Sequence, residues 1–133
     1  MIDSGFNIKL VVEDEVIINK LASIVLIPGK DGYFSVLQRH ISMVSLIKPG
    51  VMEVTVDDGK VERYILSYGI CRVVESECHI LARDAVEVSK IDKKYISDSI
   101  VLLEEKLKSD ISDSKARKIT EKLEFFKLCL ASK

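Results

Sequence analysis

Three cysteines and two histidines are the residues of this chain that could supply a nucleophile and a base. Cys71 or Cys78 could attack as a thiolate if His40 or His79 accepted the thiol proton. None of them stands in a nucleophile elbow or at another spacing typical of a catalytic triad. Cysteines beside a hairpin turn are usually small apolar side chains of a core. We therefore expect no catalytic residue, with a hydrolase that uses Cys71 or Cys78 as an alternative to be tested.

The same side chains could bind a metal ion. They form no Cys-x-x-Cys, His-x-x-x-His or His-Glu-x-x-His pair, which are the spacings typical of zinc sites. Cys78 and His79 are adjacent in a predicted strand, so their side chains point to opposite faces. We expect no metal site and no cofactor.

Gly29-Lys30-Asp31-Gly32 has the composition of a phosphate-binding glycine-rich loop. It lacks the GxxxxGK[ST] pattern, and no helix is predicted after it. We interpret it as a connection between strands.

Charge is unevenly distributed along the chain. Residues 112–133 carry a net charge of +3 and residues 1–84 one of −3, in a chain whose total is −1. Lys115, Lys118 and Lys122 share one face of a predicted helix, beside its apolar side. An ordinary solvated face is one interpretation, and docking on an acidic segment of a partner is the other.

The elements that position these residues change character near the middle of the chain. All six glycines and both prolines lie before residue 70, which predicts a turn-rich first part and a helical second part. Alternation at Phe6–Val12 and an Asp-Gly step between Val51–Val56 and Val61–Tyr68 indicate strands, as do the runs that flank Glu75-Ser76-Glu77. Further β-rich runs are Val16–Ile18, Ile24–Ile27 and Met43–Ile47. We predict an antiparallel β-sandwich over residues 1–84.

Residues 85–133 are predicted to form an antiparallel helical hairpin. Asp92 is placed to cap the first helix, and the residues 109–114 between the helices are rich in serine and aspartate. The expected apolar stripe of the first helix is Tyr95, Ile96, Val101, Leu102, Leu103 and Leu107, and that of the second is Ala116, Ile119, Leu123, Phe126 and Leu130.

Length and composition exclude several classes of protein. A chain of 133 residues with 47% hydrophobic residues supports one domain or two compact lobes. The net charge excludes a chain-wide basic surface for nucleic acid, and no apolar run is long enough to cross a bilayer. The first ten residues lack a signal-peptide pattern, and the cysteine count is odd, so we expect an intracellular protein without disulfides. These observations favour an interaction module.

The stretch Gly32–Gly50 resembles the signature of the epsilon subunit of F-type ATP synthases. Tyr64–Ile70 and Leu81–Ala85 are similar to two further segments of that family. The signature positions that match are Gly32, Phe34, Ser35, Val36, His40, Met43, Ser45, Ile47, Pro49 and Gly50.

The resemblance implies a non-catalytic subunit of the central stalk, which turns with the rotor and couples proton flow to ATP synthesis. It implies that the sandwich contacts the gamma subunit and the ring of c subunits, through loops that contain Gly29, Gly32 and Tyr33, and His40 and Ser42. It also implies that the hairpin folds on the sandwich or extends. Extension brings the basic helix with Lys115, Lys118 and Lys122 to the catalytic beta subunit and inhibits ATP hydrolysis. The expected location is the cytoplasmic side of a bacterial inner membrane, bound through the complex.

Two departures from the family pattern concern binding. Gln38-Arg39-His40-Ile41-Ser42 replaces a segment with two prolines. Some bacterial members bind ATP through a motif that here reads Ile91–Ile96, in which Tyr95 replaces the arginine. Asp92 is the one nucleotide-binding candidate, and we interpret it as a helix cap. The alternative function is a freestanding β-sandwich adaptor that binds a partner helix.

Overall fold

The structure is a computed structural model that describes residues 5–37, 42–56 and 58–133. These residues form ten strands, one short 3-10 turn and two helices. The strands are β1 (Phe6–Val12), β2 (Glu15–Ala22), β3 (Ile24–Gly29), β4 (Gly32–Leu37), β5 (Met43–Ile47), β6 (Gly50–Thr55), β7 (Val61–Leu66), β8 (Gly69–Val74), β9 (Glu77–Ala82) and β10 (Ala85–Glu87). The 3-10 turn is Val88–Lys90, and the helices are α1 (Lys93–Leu107) and α2 (Asp113–Ser132). The predicted fold class, a β-sandwich followed by a helical hairpin, is confirmed.

The strands are arranged in two layers. The first layer has the order β4-β3-β6-β7-β10, and the second has the order β5-β8-β9-β1-β2. One register pair, Gly29 with Ile47, joins the layers at the end of β3. Neighbouring strands are antiparallel except β1 and β9, which run parallel.

The main core lies between the two layers. Alternate side chains of each strand point into it, as Phe6, Ile8 and Leu10 do in β1. The alternation predicted from the sequence therefore places the apolar side chains of β1 correctly. The largest fully buried members include Ile8, Leu10, Ile27, Met52, Leu66 and Ile80.

Both predicted hairpins form, since β6 pairs with β7 and β8 pairs with β9. Asp57, in the first of these turns, lies outside the described residues. Strands β4 and β10 had not been predicted. β10 follows residue 84, where we placed the domain boundary, and adds to the first layer with Ala85 opposite Leu66. The division into residues 1–84 and 85–133 stays a prediction.

Polar side chains cap both helices. The Asp92 carboxylate accepts hydrogen bonds from the backbone N–H groups of Lys94 and Tyr95, as the sequence predicts. The Ser112 hydroxyl accepts one from the N–H of Lys115 at the start of α2. Neither of these two helices, among the described residues, is long and apolar enough to span a membrane.

The helical hairpin packs on the outer face of the first layer. Val51, Ile65 and Val86 lie side by side across β6, β7 and β10 and form an apolar strip there. The helices bury a second apolar cluster against this strip, which contains Ile65, Ile91, Ile96, Phe125, Phe126 and Cys129.

The predicted stripe of α1 is wrong at three positions. Tyr95, Val101 and Leu102 are 63%, 55% and 61% exposed. Four consecutive apolar residues, 100–103, surround the helix, so periodicity alone could not select the packed side. The side chains that pack inward are Ile96, Ile100 and Leu103.

Candidate interaction surfaces

The β3–β4 turn forms one end of the sandwich and contains three of the predicted contact residues. Gly29 pairs with Gly32 across the turn, and a Cβ on Gly29 would lie 2.8 Å from the Gly32 carbonyl oxygen. Gly32 has a φ of +128°, a conformation that favours glycine. Tyr33 is exposed, and its hydroxyl accepts a hydrogen bond of 3.0 Å from the Val51 N–H. The turn is therefore held in one shape while Lys30 and Asp31 face solvent.

Of the second predicted contact loop, only one residue can be placed. His40 lies outside the described residues, and Ser42 is exposed just before β5. Ser42 precedes the first residue of β5, whereas Gly29 of the β3–β4 turn pairs with Ile47 at the other end of that strand.

A second surface had no counterpart in the sequence analysis. Five apolar side chains form a row across the outer face of the second layer, in register from β5 to β2. Four of them are between 38% and 55% exposed, and the fifth is half-buried. We call Leu46, Ile70, Leu81, Val11 and Val16 the outer apolar row. The sequence feature that could have indicated this surface is the presence of strands with apolar residues on both faces, such as β5.

Two crossed ion pairs connect the hairpin to the sandwich. Arg83 pairs with Glu121, and its neighbour Asp84 pairs with Lys122. We call these the docking ion pairs. The Lys122 ammonium also lies 5.2 Å from the centroid of the Phe126 ring, a cation–π distance. Exposed ion pairs add little stability, so the buried apolar cluster supplies most of the docking energy and the ion pairs fix its geometry.

The three lysines of α2 therefore have different surroundings. Lys115 and Lys118 are exposed and form no ion pair with any residue that the structure describes. Lys122 is half-buried and neutralised by Asp84. Of these three lysines, only Lys115 and Lys118 have a positive charge that no described residue pairs in this conformation.

Cys71, Cys78 and Cys129 are all buried, which hinders a reaction of their thiols with reagents in the solvent. The sulfurs of Cys71 and Cys78 are 3.8 Å apart inside the core, and this contact and burial raise the pKa of Cys78. His79 points outward from β9, away from both thiols. Burial raises the pKa of Cys129, between hairpin and sheet, to about 11. Within the described ranges no group of three or more His, Cys, Asp or Glu side chains is arranged to hold a metal ion.

Comparison with known proteins adds a family to this geometry. A family model described as the ATP synthase delta/epsilon chain beta-sandwich domain matches residues 5–88. The chain is similar to the ATP synthase epsilon chain of Mesorhizobium japonicum, with 31% identity over 122 residues, 92% of this chain and 87% of the relative. It is also similar to the ATP synthase epsilon chain of Sinorhizobium fredii, with 33% identity over 100 residues, 75% of this chain and 74% of the relative.

Two solved structures share the fold. One is a chain of the Euglena gracilis mitochondrial ATP synthase, with a TM-score of 0.74 and 24% identity over 99% of this chain and 83% of that chain. The other belongs to the central stalk and c-ring of the Tetrahymena thermophila mitochondrial ATP synthase, with a TM-score of 0.58 and 15% identity over 93% of this chain and 95% of that chain. Each match spans sandwich and hairpin together.

Proposed function

The chain belongs to the ATP synthase delta/epsilon family and is thus a non-catalytic rotor-stalk subunit of an F-type ATP synthase, and we propose that its sandwich contacts gamma and the c-ring. The sandwich suits that role because two packed layers resist bending better than loops do. Two surfaces are available for the two contacts. The outer apolar row supports contact with gamma, and the turn at Gly29, Gly32 and Tyr33 supports contact with the c-ring.

The exposure of the outer apolar row is the observation that supports the proposal. Exposed apolar side chains that form one continuous patch mark a surface for another protein. The test is co-purification of the chain with gamma and the c-ring. A chain that associates with neither would remove the stalk proposal.

The hairpin is proposed to regulate ATP hydrolysis. In the docked state its apolar side is covered by the first layer, and the docking ion pairs hold Glu121 and Lys122. Extension would break these pairs, expose Val51, Ile65 and Val86, and free the basic helix. An acidic segment of the catalytic beta subunit is the partner that this helix fits electrostatically.

Truncation of the hairpin tests regulation separately from assembly. The chain should end at Lys90, because a chain that ended at Asp84 would lose β10 from the edge of the first layer. We expect the assembled complex with the truncated chain to hydrolyse ATP faster and to keep the chain through purification. An unchanged hydrolysis rate would remove the inhibitory role but leave the coupling role.

Nucleotide is not expected to bind. The Asp92 carboxylate is already occupied by two backbone N–H groups, and the Tyr95 hydroxyl offers no positive charge to a phosphate. A calorimetric titration with ATP and magnesium on the whole chain should therefore show no saturable heat. The proposed location is the cytoplasmic face of a bacterial inner membrane, reached through the complex.

A further inference from the structure

The outer apolar row is bordered by cations on both sides along its central strands. On one side Lys9 lies opposite His79, and His79 lies opposite Arg72, across β1, β9 and β8. These side chains point outward, since the buried side chains of the same strands alternate with them. We call Lys9 and Arg72, with His79 between them, the cationic row.

The charged side chains of this row are Lys9 and Arg72. Between them, the His79 Nε2 atom lies 2.5 Å from a Glu77 carboxylate oxygen of the same strand. Lys9 and Arg72 form no ion pair with any residue in the described ranges. Lys9 and Arg72 can therefore each pair with a carboxylate from outside the chain.

A second set of cations lies on the other side of the apolar row. Lys30 and Lys48 line a groove of about 590 Å³ together with Ile70 and Leu81. Arg83 also lines this groove, but its charge is paired with Glu121. A second groove, of about 400 Å³, has the same two apolar side chains on one side and the cationic row on the other. Ile70 and Leu81 thus form a ridge between two grooves with positively charged rims.

We propose that this face binds one helix of the gamma subunit, with apolar residues along the contact side and carboxylates on both flanks. The charge and the dimensions of this face favour such a helix, and the identification with gamma rests on the proposed function. Positive rims on both sides of an apolar ridge select against a helix with basic flanks.

The dimensions fit a single helix that crosses the strands. Residues of a strand that point to one face repeat at about 7 Å, so cations two repeats apart are separated by about 14 Å. A helix with its side chains is about 10–12 Å wide, which fits between the two sets. The part of the outer apolar row from Leu46 to Val11 spans β5, β8, β9 and β1, or roughly 14 Å, which is the length of about ten helical residues.

Charge reversal on the whole chain tests the proposal. The variants Lys9→Glu and Arg72→Glu should each weaken binding to purified gamma roughly tenfold and reduce the salt dependence of the association rate. Lys106→Glu, an equal charge change on exposed α1, should bind like the unmodified chain. Melting temperatures should change little, because Arg72 and Lys106 are exposed and the partly buried Lys9 forms no ion pair within the described ranges.

A cross-linking experiment identifies the occupant. A photoreactive group on a Leu81→Cys variant should capture a gamma peptide that is helical and carries carboxylates beside its apolar residues. If the unmodified chain does not bind gamma, the proposed function and this inference both fail. If gamma binds with unchanged affinity to both charge-reversed variants, or if the captured peptide is basic, the inference alone is overturned. Neutral variants, Lys9→Gln and Arg72→Gln, give the same decision if a reversed variant does not fold.

Discussion

Gly69 begins β8 where β9 passes too close for any side chain. A Cβ on Gly69 would lie 2.2 Å from the Leu81 carbonyl oxygen and 2.9 Å from the Ala82 Cα. Both are backbone atoms, so β8 and β9 would have to separate to make room. We expect Gly69→Ala to lower the free energy of unfolding by at least about 1–3 kcal/mol, measured by urea denaturation. Ser76→Ala, in the exposed turn between the same strands, should stay close to the unmodified chain, and equal stability of the two variants would contradict the argument.

Glu62 links the two layers through an ion pair with Lys20, whose ammonium is 2.8 Å away. The bond with Lys20 lowers the pKa of Glu62 from its ordinary value of 4.5, and burial opposes this effect only in part. A carboxyl whose pKa is lower in the folded state stabilises the fold above the pKa of the unfolded chain. That stabilisation is lost as the pH falls through the folded-state pKa.

The variant Glu62→Gln should therefore lose stability less steeply on acidification below pH 4.5 than the unmodified chain does. Urea denaturation at a series of pH values measures this slope. Glu53→Gln is the matched control, because Glu53 pairs with Arg63 on the solvent side of the first layer. The same acid dependence in Glu62→Gln and the unmodified chain would show that the pair does not act in this way.

At the scale of elements, the sequence predicted the structures that are determined by residues adjacent in the chain. The Asp-Gly step and the flanking alternation of β6 and β7 predicted a hairpin, because turn and strands are adjacent in the chain. β10 has only three residues and forms because β7 offers it an edge. The packed side of α1 is chosen by Val51, Ile65 and Val86, which lie far away in the sequence. Because residues 100–103 are all apolar and surround α1, they do not indicate which side of the helix packs against the sheet.

The docking ion pairs belong to the same scale, since they decide how α2 lies on the sheet. Lys122 contacts Asp84 and the ring of Phe126, and Cys129 is buried in the same interface. Lys122→Ala should therefore release the hairpin more often. A loss of about 1 kcal/mol would raise the rate of maleimide reaction at Cys129 roughly fivefold.

The control for this measurement is Lys127→Ala, because Lys127 pairs with Glu104 within the hairpin and not with the sheet. Its Cys129 should react as slowly as in the unmodified chain. Cys71 and Cys78, in the other core, should stay unreacted in all three proteins. Equal rates for the two variants would contradict a docking role for Lys122, and reaction at Cys71 would indicate unfolding of the sandwich instead.

At the scale of the whole molecule, both outer faces of the sandwich carry apolar side chains, but the helical hairpin covers only one of them. The strip Val51, Ile65 and Val86 on the first layer is covered by the hairpin, whereas the outer apolar row on the second layer is not covered by any described residue. The sequence could not predict this difference. The parallel pairing of β1 with β9 and the single register pair of β3 with β5 join segments that are distant in the chain.

The same limit applies to the basic helix. Spacing placed Lys115, Lys118 and Lys122 on one face, but it could not show that Asp84, 38 residues away, neutralises Lys122. In the whole molecule the lysines therefore separate into two functions. Lys122 holds the hairpin in the docked state, and Lys115 and Lys118 are available to a partner.

This separation predicts the behaviour of the double variant Lys115→Glu/Lys118→Glu. Neither lysine contributes to the docking ion pairs, so reaction of Cys129 with maleimide should keep its unmodified rate. The assembled complex should nevertheless hydrolyse ATP faster, approaching the rate with the chain truncated after Lys90, because an acidic segment of the beta subunit would repel the reversed charges. Lys106→Glu/Lys108→Glu makes the same change of charge at the C-terminal end of α1 and should leave hydrolysis unchanged. If truncation accelerates hydrolysis and the Lys115→Glu/Lys118→Glu variant does not, the hairpin inhibits by its bulk rather than by its charge.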